Sequence, residues 1–288
     1  MDQLKLFIEL TRIKKPIGFM LLFWPCAWGL IIGYDFENEK ITFFYYLVLF
    51  FLGSILMRSA GCIVNDIVDK NYDKKVLRTR NRPIASGKIS TSLGIIYAFI
   101  LCFLSLLILV QFNYQTIILA MFSMPLAFIY PFMKRLTYWP QLFLGITFNY
   151  GIILGWVSAN NEINPLIFIA YLGTIFWTLG YDTIYGFQDV VDDEIIGLKS
   201  TSIKFKNSPK LFLMIAYILF FFSLIITGYV FSVINLFFIV TLTIVFFHLF
   251  ILQIKNLKVD DSASCLKIFK SNNFLGFIVA IGFFLGKF

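Results

Sequence analysis

Two short stretches concentrate the side chains of this chain that can do chemistry. In N65-D-I-V-D-K-N-Y-D73 three carboxylates, Asp66, Asp69 and Asp73, stand at i, i+3 and i+7. Six cations crowd among and after them: Lys70, Lys74, Lys75, Arg78, Arg80 and Arg82. On a helix continued through the carboxylates, the three positions fall within about 60° of one another. Like charges on one stripe repel. A divalent cation removes that repulsion, because hard cations take carboxylate oxygens and bridge them to phosphate. A solvated loop of mixed charge is the plainer alternative. The second stretch runs Y181-D-T-I-Y-G-F-Q-D-V-V-D-D-E194, with Asp182, Asp189 and Asp193 at i, i+7 and i+11 and Tyr185 beside them. That spacing predicts one face of a continuous helix, with Asp192 and Glu194 pointing elsewhere, solvated or behind the others. A charged loop with N-capping aspartates would read similarly. Asp182 falls inside an apolar run, where an unpaired carboxylate is costly, so it must face a bundle interior or a polar cavity.

Two facing carboxylate clusters among many cations suit a diphosphate. The acids hold Mg²⁺, the metal holds phosphate oxygens, and Lys and Arg take the remaining negative charge. The apolar helices below would house a long hydrocarbon tail, and a tailed diphosphate in a membrane is a polyprenyl diphosphate. Its ionisation leaves an allylic cation that aromatic faces stabilise. Tyr181 and Tyr185 are near enough in sequence to be candidates.

The elements that must position these residues are apolar helices. The 288 residues are 59% hydrophobic and 14% charged with mean hydropathy +0.85, which excludes an ordinary soluble domain. Runs of spanning length are expected near 16–34, 43–64, 91–111, 114–132, 139–158, 165–185, 209–230, 233–254 and 268–286, nine in all. Met1 to Lys15 has Leu4, Phe7, Ile8 and Thr11 at helical spacing among Lys5, Arg12, Lys14 and Lys15, which predicts an interfacial amphipathic segment. With the N-terminus inside, 21 of the 24 Lys and Arg fall on inside segments. The outside holds only Lys40 and Lys287, beside Asp35, Glu37, Glu39 and Glu162, and Arg58 lies within the second run. That alternation supports nine spans and a cytoplasmic N-terminus. Both carboxylate clusters then open on the cytoplasmic face. The four cysteines (Cys26, Cys62, Cys102, Cys265) show no metal or disulfide spacing. His248 sits in an apolar run, with a packing role the simpler reading.

N65-D-x-x-D-x-x-x-D73 with D189-x-x-x-D193 resembles the paired aspartate motifs of UbiA-type membrane prenyltransferases. Further matching stretches are R12-I-K-K-P-I-G-F-M-L-L-F-W-P25, M57-R-S-A-G-C-I-V-N-D66, R78-T-R-N-R-P-I-A-S-G87 and Y130-P-F-M-K-R-L-T-Y-W-P-Q141. Y181-D-T-I-Y185, G197-L-K-S-T201 and C265-L-K-I-F-K-S-N-N-F-L-G276 complete the series, in order along nearly the whole chain. Val191 departs from the pattern, since relatives often carry a third acid there.

The resemblance implies an all-α integral membrane protein, a single domain over residues 1–288, with nine transmembrane helices bundled around a central cavity and active-site loops on the cytoplasmic side. It implies Mg²⁺-dependent transfer of a polyprenyl group from polyprenyl diphosphate to 4-hydroxybenzoate, meta to the carboxylate, in ubiquinone biosynthesis. The setting is a bacterial inner membrane with no nucleic-acid partner. Carried onto this chain, Asn65, Asp66, Asp69, Asp73, Asp189 and Asp193 hold Mg²⁺–diphosphate. Lys74, Arg78, Arg82, Lys134, Arg135 and Lys199 are candidates for phosphate or cavity charge, and Asp182 for the base or the group orienting the phenol. Arg58, seven residues before Asn65 and two turns deeper, is either a bidentate clamp for the benzoate carboxylate or a structural partner of Asp182.

Two other functions remain open from sequence. Another aromatic acceptor (a naphthoate, homogentisate, haem or chlorophyll precursor) needs only a different pocket shape. A cation-coupled transporter would also place acids inside a bundle, although its sites favour the membrane midplane.

Overall fold

The structure, a computed structural model, describes residues 3–36 and 40–288, apart from the side chain of Lys40. The expected outside charges Glu37 and Glu39 lie outside the described residues. All regular structure among the described residues is helical. The helices are α1 (Gln3–Thr11), α2 (Ile17–Gly33), α3 (Lys40–Val68), α4 (Lys70–Asp73), α5 (Thr91–Leu109), α6 (Tyr114–Leu136) and α7 (Pro140–Asn160). There follow α8 (Ile167–Gly186), α9 (Val190–Ile195), α10 (Thr201–Lys204), α11 (Pro209–Val230), α12 (Leu236–Phe246) and α13 (Ser262–Gly286). Beyond Phe246, α12 continues in a wider π-helical winding through Phe247–Lys255.

Eight of the described helices are long and apolar enough to cross a bilayer, so the chain is a multi-pass membrane protein. Each coincides with an expected run, with ends shifted by a few residues. The largest shift is at α13, which starts at Ser262 because Asp261 caps it, accepting from the backbone N–H of Ala263 and Ser264. Ser90, Asn113 and Asn235 start α5, α6 and α12 in the same way. The ninth expected span is α2. Its 17 residues reach about 25 Å, short of a ~30 Å hydrocarbon core. Most of α2 is buried inside the protein, as a helix apolar on every side must be.

Glycines bring α2 against α7 closely enough for backbone contact. A Cβ on Gly29 would lie 1.9 Å from the Ile152 carbonyl oxygen, and one on Gly155 would lie 2.2 Å from that of Cys26. Small residues are what allow such approach between apolar helices. On the other side of α2, indole groups fasten α13. Trp28 donates to the Gly276 carbonyl (2.9 Å), Trp24 to Asn273 Oδ1 (2.9 Å), and Trp177 of α8 to Asn272 Oδ1 (2.8 Å). Trp28, Trp177 and Phe220 stack on one another at the centre. His248 belongs to this frame: its Nδ1 meets Gln253, which also bonds Asn272 and Tyr217.

The N-terminal segment forms a helix over Gln3–Thr11, as its spacing predicts, and the fold adds a docking site for its apolar side. α1 buries Leu6 and Leu10 against Ala60, Ile63, Ile84, Ala98 and Leu101, with Phe7 edge-on to Tyr97, while Leu4 is exposed. Its apolar side is seated on α3 and α5 rather than on lipid alone. The four cysteines are free.

Gly29→Ala is expected to lower stability by about 1–3 kcal/mol, because the Ile152 backbone cannot yield. Gly53→Ala, where nothing lies within 4 Å of the added carbon, is expected to be neutral or mildly stabilising. Thermal unfolding of the two variants in detergent checks the contrast.

Candidate active site

A cavity of about 1040 Å³ opens where α3, α6 and α8 end. Its walls carry Arg58, Asn65, Asp66, Arg78, Arg82, Tyr181, Asp182 and Tyr185, all singled out by sequence. The side toward α5 and α6 is lined by Ser105, Ile108, Leu109, Ala120, Ser123, Met124 and Ala127. These small or apolar residues suit a hydrocarbon chain.

The first carboxylate cluster is gathered as expected, though on two helices rather than one continuous helix, with Asp69 at the junction of α3 and α4. α3 runs through Asp66 to Val68, and the turn continues as Asp69 N–H bonds the Asn65 carbonyl (2.9 Å) and Asp73 N–H that of Asp69 (2.8 Å). Arg135 donates to the Val68 carbonyl (2.7 Å), capping the helix end. Asp66, Asp69 and Asp73 are 1%, 0% and 6% exposed. Carboxylates so buried need counter-charge, and each has it. Asp66 pairs with Arg12 and, at 3.2 Å, with Arg82; Asp73 pairs with Arg82 at 2.8 Å; Asp69 pairs with Lys134 and, at 3.3 Å, with Arg135. Burial pushes the Asp69 carboxyl up, and Lys134 opposes it.

The second cluster departs from expectation. α8 stops at Gly186 and α9 begins at Val190, so Asp182 does not share a continuous helix with Asp189 and Asp193. α10 causes the break by packing against the end of α8. Ser202 Oγ donates to the Thr183 carbonyl (2.8 Å), Thr201 and Thr183 hydroxyls share a hydrogen bond (2.6 Å), and Ser202 presses on Gly186. Asp182 stays on the cavity wall, while Asp189 stands at the start of α9 and Asp193 within it. Asp189 accepts Arg78 in a bidentate pair, with Nε at 2.6 Å. Burial, then the charge of Asp189, pushes the Asp193 carboxyl up to about 6, with Lys134 opposing. Lys134, paired with Asp69, is thus also near enough to Asp193 to interact with its charge. Val191 is 72% exposed, so a third acid there would face away from the site. Glu194 is occupied at the surface by Lys206 (2.6 Å).

Arg58 and Asp182 face the same cavity and interact electrostatically without forming an ion pair. The Arg58 guanidinium lies 5.5 Å over the Phe148 ring and against Gly18, and its Nε is buried without a hydrogen-bond partner. A structural Arg58–Asp182 pair is thus not what the fold builds. Tyr185 stacks near Phe269 (4.5 Å) with Tyr181 beyond (5.8 Å), an aromatic wall that Arg78 reaches through the Tyr185 hydroxyl.

Asp69, Asp73, Asp189, Asp193, Lys134 and Arg135 belong to the two charge clusters without lining the cavity, and two further expected site residues belong to neither. Lys74 is exposed and lines no part of the cavity. Lys199 donates through Nζ to the Leu136 carbonyl (3.3 Å) and lies over the Tyr138 ring, tying loop to loop. Conversely Arg12, Tyr130, Gln188, Lys270 and Asn273 line the cavity without having been singled out. Arg12, Tyr130, Lys270 and Asn273 stand in the quoted stretches, but no spacing rule separates them from packing residues.

Among the described residues no three acids, cysteines or histidines converge on one point as a ready-made metal cage. The donor set still fits magnesium. Asn65 and the five aspartates offer hard oxygen ligands, few per ion, in the manner of Mg²⁺ held jointly with phosphate.

Comparison with known proteins gives a consistent result. The model of the UbiA prenyltransferase family matches residues 22–279. The mitochondrial 4-hydroxybenzoate polyprenyltransferase of Drosophila pseudoobscura pseudoobscura is 41% identical over 98% of this chain and 70% of its own length. The 4-hydroxybenzoate octaprenyltransferase of Psychromonas ingrahamii is 38% identical over 97% of this chain and 96% of its own. Among solved structures, an apo UbiA homolog from Aeropyrum pernix K1 superposes with TM-score 0.77 at 20% identity, covering 94% of this chain and 99% of that one. A homolog from Archaeoglobus fulgidus bound to GPP and Mg²⁺ gives 0.71 at 19% identity, covering 98% of each.

Arg82→Ala strips a shared counter-charge from two buried carboxylates and is expected to cost about 3 kcal/mol. Lys206→Ala removes an exposed partner of Glu194, worth at most about 0.5 kcal/mol. Denaturation of both variants in one detergent tests whether burial decides the difference.

Proposed function

The chain belongs to the UbiA prenyltransferase family, and we propose that it transfers a polyprenyl group from polyprenyl diphosphate to the ring of 4-hydroxybenzoate. The product is 3-polyprenyl-4-hydroxybenzoate, an intermediate of ubiquinone biosynthesis, released with diphosphate. One observation carries the reading: a single cavity is lined by Asp66 and Arg82 of the first carboxylate–cation cluster, by Arg78 of the second, by Tyr181 and Tyr185, and by Arg58, whose buried Nε–H has no partner. The relatives named for 4-hydroxybenzoate support the acceptor.

Asn65, Asp66, Asp69 and Asp73 on one side and Asp189 and Asp193 on the other hold magnesium, which supplies positive charge to the leaving diphosphate. Arg78, Arg82, Lys134 and Arg135 take the remaining phosphate charge. As the carbon–oxygen bond breaks, the allylic cation is stabilised by the faces of Tyr181 and Tyr185. Arg58 binds the benzoate carboxylate and so turns the ring carbon ortho to the hydroxyl toward the allylic carbon. That carbon forms the new bond, and the ring proton leaves to a base. Asp182, on the same wall, accepts it or orients the phenol. The prenyl tail lies along the α5–α6 side.

The charge alternation supports α2 as a ninth span, an N-terminus in the cytoplasm, and site loops on that face of a bacterial inner membrane. The whole chain acts as one catalytic domain.

Purified protein in liposomes with a polyprenyl diphosphate and 4-hydroxybenzoate is expected to form the prenylated acid with Mg²⁺ and not with EDTA. Asp69→Ala and Asp189→Ala are each expected to abolish it. Product from a different aromatic acceptor alone would correct the substrate; no diphosphate binding in any condition would sink the enzyme reading and favour transport. Arg58→Ala is expected to lower kcat/KM for 4-hydroxybenzoate about 10- to 100-fold, the size of a lost charge-assisted pair. The affinity for diphosphate should be unchanged.

A further inference from the structure

Arg12 fits no spacing rule for metal or phosphate, yet its side chain ends inside the first carboxylate cluster. α1 anchors itself through Leu6 and Leu10, and the chain then turns at Arg12 with φ of 55°. Side chains disfavour that left-handed conformation, so the surrounding contacts must hold it. The turn sends the guanidinium to Asp66 Oδ1 and brings Nη1 within 3.7 Å of Cys62 Sγ. The same Oδ1 lies 3.2 Å from Arg82. The Arg12 side chain keeps 25% of its surface, lines the cavity, and lies near enough to Asp73 and Tyr185 to interact with them electrostatically.

Resting on the diphosphate site proposed above, this geometry sets up a competition. An oxygen shared by two guanidinium groups is poorly available to a cation, and a metal on Asp66 repels both. The Arg12 guanidinium, on a side chain three-quarters of whose surface is covered, regains a charge-assisted partner only from another anion close by. The species that arrives with magnesium and brings surplus negative charge is the diphosphate. We propose that Arg12 is a diphosphate-binding residue of this site. It pairs with Asp66 and transfers to the diphosphate when that carboxylate takes magnesium, so that metal and diphosphate bind interdependently. The N-terminal helix is then a working part of the site. Because coupling is reciprocal, magnesium and diphosphate must strengthen each other by one common factor.

Calorimetric titration of the purified full chain with geranyl diphosphate, with and without Mg²⁺, tests this by binding alone. In the unmodified protein Mg²⁺ is expected to tighten geranyl diphosphate, and geranyl diphosphate to tighten Mg²⁺, by the same factor. Asp66→Asn releases Arg12 from its counter-ion and is expected to tighten Mg²⁺-independent diphosphate binding about tenfold, one charge-assisted contact. Adding Arg12→Ala to Asp66→Asn should remove the gain, whereas adding Lys5→Ala, an exposed cation of α1, should keep it. Arg12→Gln, which keeps much of the side-chain volume without the charge, serves if Arg12→Ala does not fold. A gain that survives loss of the Arg12 charge overturns the proposal, as does no gain in Asp66→Asn. Unmodified protein that binds no geranyl diphosphate even with Mg²⁺ overturns the diphosphate site itself.

Discussion

A carboxylate at the mouth of an apolar bundle must find a cation, and that requirement organises this end of the molecule. Every pairing partner of the buried aspartates comes from another segment. Arg12 arrives from the N-terminal helix, Arg82 from the loop after α4, and Lys134 and Arg135 from the end of α6. Arg78 crosses from the first loop to Asp189 of the second. Meeting the charge of the aspartates therefore closes the bundle end and gathers cations from separate segments in one place. In the proposed reaction, stability and binding draw on the same side chains. The arrangement is consistent with a site in which charges are in place before the reaction, so that little reorganisation is left for the chemical step.

Beneath those charges the packing divides into two kinds. On one side, α2 meets α7 backbone to backbone through Gly29 and Gly155, and three indoles bond α13 in place. That frame sets where Arg58, Tyr181 and Asp182 stand. On the other side, α5 and α6 are mostly exposed and line the cavity with small and apolar side chains. Chemistry that joins a polar aromatic acid to a hydrocarbon chain needs both: rigid walls for orientation and an apolar surface along which a chain can lie.

Much of this was legible in the amino-acid order. Apolar runs of spanning length located every long helix, because a backbone in lipid has to satisfy its own hydrogen bonds and only a helix does so within one segment. The spacing of Asp66, Asp69 and Asp73 anticipated that they gather at one helix end, although Asp69 falls at the junction of α3 and α4 rather than within one helix. The ordered motifs identified the family, and with it the reaction.

Contacts between distant segments decided the rest. The Asp182–Asp189–Asp193 spacing reads as one helix, but α10 packs against Gly186 and breaks it, placing Asp182 on the wall and the other two above it. Lys74 and Lys199 have the right charge in the right stretch and yet face elsewhere, because loop paths follow tertiary contacts that no local pattern records. Arg12 is the converse case, a cation 54 residues from its partner Asp66. Periodicity and hydropathy act within a segment and were sufficient for helices, stripes and family. Partner choice among charges is a matter of proximity in three dimensions, and only the folded chain settles it.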